Sequence, residues 1–239
     1  HTPTLLPPTE PAPTDTTWER LRPGLERRYL LWENGQTSQQ IYLLRIDPQQ
    51  FEFRVGYRPG NPQTLAAWQA ETNALVVVNG GFFTETYQAT GLIVVNGVAS
   101  GVSYGDFAGM LAITPAGPEV RWLAERPYDP AEPLQYALQS FPLLVKPGGT
   151  PGFTEQDERV ARRTAIAQDK NGRILFILAP EIGLTLHEFS HFLATAPLLN
   201  LYIALNLDGG TSTGLRLADP QEEIPAFVPL PVVITVHSR

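Results

Sequence analysis

The chain is cut into short apolar runs, and the residues between them are turn formers. IYLLRI (41–46) and FEFRVGY (51–57) are joined across Asp47-Pro48, and a strand at 92–95 meets Asn96-Gly97. MLAIT (110–114) and EVRWL (119–123) flank Pro115-Ala116-Gly117-Pro118, while RTAIAQ (163–168) and RILFILA (173–179) flank Asp169-Lys170-Asn171-Gly172. Runs of this length bounded by such clusters read as strands, and Asn-Gly is the strongest short-range hairpin signal. The middle of the chain is therefore expected to form antiparallel hairpins. Two helices interrupt the strands. Asn61-Pro62 offers an N-cap followed by proline at the first helical position, with Leu65 and Trp68 inward and an end near Asn73. The second helix is expected at about 185–196. These elements predict a single α+β domain over 18–239, mostly antiparallel sheet with two main helices.

One device occurs twice. After the first helix comes LVVVN (75–79), which stops at Asn79-Gly80-Gly81; after the second comes LYIALNL (201–207), which stops at Asp208-Gly209-Gly210. A run apolar throughout reads as a strand buried on both faces. A short polar side chain at its end is held rigidly beyond the sheet, where ligand crevices form. Glycines there permit left-handed backbone and close approach to a ligand, and successive N–H groups make anion nests. Thr211, Ser212 and Thr213 then supply hydroxyls suited to phosphate or sugar oxygens. The plainer alternative is a pair of tight turns whose Asn and Asp bond their own backbone.

VVVNGGFF (76–83), LQSFPLLV (138–145), Arg163-Thr164-Ala165-Ile166 and GLTLHEFSHFL…ALNLDGGTST (183–213) occur in an order that resembles the phosphodiester glycosidase family, from about Leu43 to Val236. The family's domain type is that of an enzyme removing N-acetylglucosamine from a sugar-phosphate diester. The resemblance implies that Asn79, Arg163, Asp208 and the loop 209–213 line the pocket. It makes Asp208, Arg163 and Asn79 the catalytic set. Gly80, Gly81, Thr164, Gly209, Gly210, Thr211, Ser212 and Thr213 become substrate-binding residues. Two positions depart from the family pattern: Ala167 replaces a glycine, and Thr211-Ser212-Thr213 replaces a glycine and two serines.

The chemistry fits that set. A phosphate ester leaves more readily than a sugar alkoxide, so the paired carboxyl acid of ordinary glycoside hydrolysis is less needed. Arg163 would grip phosphate oxygens with its planar fork, facing away from its neighbour Arg162. Asp208 would act as base toward water or as nucleophile at the anomeric carbon, with Asn79 orienting it or binding a sugar hydroxyl. Asp106, Glu85 and Glu181 are candidate second carboxylates.

His187-Glu188-Phe189-Ser190-His191 matches the zinc protease pattern HExxH, which places two imidazoles on one helix face. A structural account competes with it. Thr185 and Glu188 form a capping box, and Leu186, Phe189 and Leu193 supply the buried stripe. No cofactor is expected, a divalent cation being left open.

The remaining boundaries come from composition. Net charge is −7, with no basic run, which excludes a phosphate-backbone binder and with it nucleic acid as partner. Without cysteine there is no disulfide framework and no thiolate site. No apolar run reaches membrane-span length. Residues 1–17, HTPTLLPPTEPAPTDTT, read as a Pro/Thr-rich extended tether, favouring a secreted, periplasmic or cell-surface location. The sequence sets no oligomeric state. The function expected is hydrolysis of a sugar-1-phosphodiester or related glycosidic bond on a cell-envelope or extracellular glycan. A non-catalytic glycan-binding module and a zinc metalloprotease are the alternatives.

Overall fold

In the computed structural model, residues 15–239 are described, and three antiparallel sheets of eight, five and five strands enclose one central core. The tether expected at 1–17 lies mostly outside the described residues; its last part is already tied down, the Thr16 N–H donating to the Tyr29 carbonyl at 2.9 Å. The eight-stranded sheet carries Leu25–Glu33, Ser38–Ile46, Ile174–Leu184, Ala161–Asp169, Leu201–Asn206 and Leu143–Lys146 as successive neighbours. In one five-stranded sheet, Val76–Asn79 lies between Leu215–Leu217 and Val232–Ser238. The other pairs Tyr136–Ser140 with Ile93–Val95 and with Gly109–Thr114.

Alternation along each strand assigns its two faces. Val76 and Val78, Ile166, and Ile203 and Leu205 point into the central core. Val77 points the other way, under Leu65 and Trp68 of the first helix. Ala165, Ala167 and Ala204 likewise pack under Phe189 and Leu193 of the second helix. The departure at Ala167 is thus a small residue beneath a helix, fully buried.

The turn at Asp47 forms as expected, but it sends its two strands to different sheets: Ser38–Ile46 pairs with Leu25–Glu33, and Phe51–Tyr57 with Val232–Ser238. Asn96-Gly97 closes its hairpin with φ of 51° and 79°, as a primed turn requires. The first helix starts later than the Asn-Pro signal suggests. It spans Leu65–Thr72, because the Thr64 side chain accepts the Ala67 N–H, while Gln63 is held extended by Leu230. The second spans Leu186–Thr195. No helix among the described residues is long and apolar enough to cross a membrane.

Candidate active site

The two Gly-Gly strand ends meet where sheets join. The Asp208 N–H donates to the Gly80 carbonyl at 3.0 Å. The Asn79 amide donates to the Asp208 carbonyl at 2.7 Å across 129 sequence positions, and to the Gly80 carbonyl at 3.3 Å. The Asn79 carbonyl oxygen accepts the Thr164 hydroxyl at 2.9 Å and the Gly214 N–H at 3.1 Å. Every hydrogen-bonding position of this carboxamide is engaged, and the residue is fully buried. Asn79 therefore fastens three chain segments together behind the site.

A cavity of about 620 Å³ opens over Asp208. Its wall includes Asp208, Gly209, Gly210, Thr211 and Ser212 from the loop, Asp157, Arg159 and Arg163 from the segment before and within Ala161–Asp169, and the rings of Phe82 and Phe141. Asn79, expected in the catalytic set, and Gly80, Gly81, Thr164 and Thr213, expected to bind substrate, do not line this cavity. Thr164 and Thr213 are buried and joined hydroxyl to hydroxyl at 3.2 Å.

The glycines do different work from that expected of them. A Cβ on Gly80 would stand 2.5 Å from Val232, on Gly81 2.8 Å from the Gln139 carbonyl, and on Gly209 2.8 Å from the Arg162 carbonyl. The close approach is to the protein's own atoms, the Val232 side chain at Gly80 and backbone carbonyls at Gly81 and Gly209. Only Gly210 of the four needs left-handed backbone, at φ 59°.

Asp208 is the carboxylate whose setting suits chemistry. Burial pushes its carboxyl above the ordinary carboxylate value, while the Ser212 hydroxyl, the Gly209 N–H (2.9 Å to Oδ1) and Arg159 offset part of the shift. The cavity's other carboxylate, Asp157, accepts the Leu186 and His187 N–H groups at 3.2 and 3.1 Å, satisfying free donors at the second helix's start. Asp106, Glu85 and Glu181 are exposed and line no part of this cavity.

Arg163 reaches the wall, but its donors are largely spent on the protein. Nε donates to the Leu184 carbonyl at 3.1 Å and Nη2 to the Arg159 carbonyl at 2.5 Å, with Asp157 4.0 Å away. Burial lowers its pKa, an effect that nearby Asp157 opposes. Arg162 faces elsewhere, as alternation demands, donating to the carbonyls of Pro180 and Pro225 at 2.7 and 3.0 Å and packing 4.3 Å over Phe227.

The HEFSH segment has structural employment. Thr185 and Glu188 form the capping box in both directions, and Glu188 also accepts the Asn34 amide at 3.0 Å. Burial works upward on the Glu188 carboxyl, but these hydrogen bonds outweigh it and hold the group below its usual range. Phe189, Ser190 and Leu193 form the buried face; Leu186 is half-buried, packing against the same cluster while also lining the cavity.

Sequence reasoning passed over two features of the site. Phe141 packs against Phe82 at 4.8 Å with the rings tilted by 40°, and meets Tyr104 and Phe107 at 5.3 and 5.5 Å, an aromatic group running outward from the cavity. The Phe-Phe pair after Gly81 and the Phe within LQSFP were visible only as motif letters. Arg159 sits inside QDERVARR, which reads as an ordinary solvated charge run.

The site thus places one half-buried carboxylate on a Gly-Gly strand end, with arginines beside it, on a mostly antiparallel α+β scaffold. The chain belongs to the phosphodiester glycosidase family, whose model matches residues 72–236. Among solved structures it is similar to the catalytic domain of zebrafish N-acetylglucosamine-1-phosphodiester α-N-acetylglucosaminidase, auto-inhibited by its pro-peptide, with a TM-score of 0.72 and 20% identity over 91% of this chain and 85% of that one. A hypothetical protein from Synechocystis follows at TM-score 0.65 and 17% identity, covering 95% and 64%. A putative exported protein from Burkholderia pseudomallei matches at 0.60 and 14%, covering 84% and 74%. No curated protein sequence matches the chain.

Proposed function

We propose that this protein hydrolyses a sugar-1-phosphodiester, or a closely related glycosidic bond, with Asp208 as the reacting carboxylate. The observation that carries this reading is the setting of Asp208: half-buried on the cavity wall, with a raised pKa and its backbone fixed on both sides by Asn79 and Gly80. A carboxylate whose pKa is raised by burial is a stronger base. It takes a proton from a water attacking the anomeric carbon, or attacks that carbon itself. The anomeric C–O bond breaks and the phosphate monoester departs with the electron pair. Because that leaving group is stable as an anion, the engagement of Asp157 in helix capping leaves no gap in the chemistry. Phe82 and Phe141 present flat apolar faces on which a sugar ring stacks.

Asn79 is a positioning residue in this scheme, as are Thr164 and Thr213. The Pro/Thr-rich sequence at the N-terminal side and the similarity to a putative exported protein support action on cell-envelope or extracellular glycan. The test is release of sugar from a panel of sugar-1-phosphodiesters, beginning with N-acetylglucosamine, by the protein and by Asp208→Asn. Turnover that vanishes in the variant supports the reading. Turnover equal in both would remove Asp208 from the chemistry. Saturable glycan binding without any turnover would make the chain a binding module on the same fold.

A further inference from the structure

Two arginines line the cavity, and they differ in what their heads are doing. Arg163 has Nε and Nη2 committed to backbone carbonyls. Arg159 is exposed, and among the described residues its guanidinium makes no hydrogen bond or ion pair, although Glu155, Asp157 and Glu158 are close in sequence. It does not pair with Asp208 either, yet it lies near enough to act on that carboxyl electrostatically. Its main chain, by contrast, is pinned: the Arg159 carbonyl is the acceptor of the Arg163 Nη2 bond, and the adjoining Asp157 carboxylate is tied to the second helix. An anchored backbone carrying a free planar fork, on the same cavity wall as the reacting carboxylate, is an arrangement that a phosphoryl group bound in the cavity would complete.

We infer that Arg159 is the phosphate-binding residue of this site, and that Arg163 is the strut that places it. The inference rests on the hydrolase reading for its catalytic half and stands alone for its binding half. A phosphodiester carries one negative charge; when the anomeric C–O bond breaks, the bonding electrons go to the phosphate oxygen and the leaving monoester takes a second. A guanidinium on those oxygens therefore interacts more strongly with the transition state than with bound substrate, which raises kcat as well as affinity. Its fork geometry also selects a phosphoryl leaving group over a neutral one. Specificity for phosphodiesters over plain glycosides then resides in a residue outside the Arg-Thr-Ala-Ile motif.

The test titrates inorganic phosphate into the protein, Arg159→Gln and Arg163→Gln by calorimetry, and measures sugar-1-phosphodiester turnover and thermal midpoint on each. Arg159→Gln is expected to keep the midpoint, to weaken phosphate binding by about ten-fold or more, and to lower kcat/KM on the order of 10²-fold, the scale for losing one donor at a site of developing charge. Arg159→Lys should recover part of the binding, since charge returns without the fork. Arg163→Gln is expected to lower the midpoint, because two carbonyls lose their donor. Phosphate that binds Arg159→Gln as it binds the parent, or binds neither, overturns the inference. A parent that binds phosphate through Arg159 but cleaves no phosphodiester leaves the subsite standing and removes the hydrolase reading. Turnover undiminished in Arg159→Gln does the reverse.

Discussion

Replacing Asn79 by Ala should damage both the fold and the site, and the size of the effect follows from its four hydrogen bonds. The change leaves the Gly214 N–H and the Asp208 carbonyl without their side-chain partner, and the Thr164 hydroxyl with Thr213 alone. Each buried group so orphaned costs about 1–3 kcal/mol. A water entering the hole left by the carboxamide would recover part of this. A net loss of about 3 kcal/mol is expected; at roughly 2–4 °C per kcal/mol for a chain of this size, the midpoint should fall by about 6–12 °C. Freed from Asn79, the Asp208 loop moves, and a displacement of about 1 Å costs on the order of 10² in rate. Thermal unfolding and turnover are measured on Asn79→Ala, Thr164→Val and the double variant. Because the two side chains share one hydrogen bond, their effects should depart from additivity by at least about 0.5 kcal/mol. A loss below about 1 kcal/mol with parental turnover would refute the idea that this carboxamide holds the site together. Asn79→Asp is the sharper control, since a carboxylate would face the Asp208 and Gly80 carbonyls. Its folded pKa must rise, so its penalty should ease as pH falls through that raised value.

Asp208→Asn should abolish turnover yet raise the midpoint at neutral pH, because it removes a desolvated charge. The sign follows from the raised pKa: Asp208 contributes stability below the ordinary carboxylate value and loses it as pH rises through the folded value, so the gain should shrink in acid. A variant less stable than the parent at neutral pH would mean that the Gly209 and Ser212 hydrogen bonds outweigh burial. Glu188→Ala should cost about 1 kcal/mol by removing the capping box, and His187→Ala with His191→Ala, or added chelator, should leave turnover intact. Stoichiometric zinc lost along with activity would instead restore the metalloprotease alternative. Phe82→Ala should raise KM about five-fold, equivalent to about 1 kcal/mol of ring stacking, with little change in kcat.

Much of the architecture was legible because periodicity is local. The buried strand Val76–Asn79, the hairpins, the second helix with its capping box, and Asp208 beyond the end of Leu201–Asn206 all follow from apolar runs and the residues that stop them. Leu25–Glu33 escaped notice because Glu26, Arg27 and Arg28 break its alternation; those charges are satisfied by partners far away in sequence, such as Glu222 for Arg27. The first helix began at Thr64 rather than at Asn61-Pro62 because Gln63 bonds across to Leu230, a residue no local signal names.

At the site the division is sharper. Sequence by itself determined that an Asn and an Asp would end buried strands beside paired glycines, because strand burial and turn chemistry are properties of neighbouring residues. Only the tertiary structure decided that Asn79 turns inward while Asp208 faces the cavity, that Gly81 and Gly209 make room for the protein's own backbone, and that Arg163 braces the wall from which Arg159 presents a free guanidinium. What a polar side chain does depends on which hydrogen-bonding groups already claim it. Those claimants arrive from segments up to 135 positions away, as Gly214 does for Asn79.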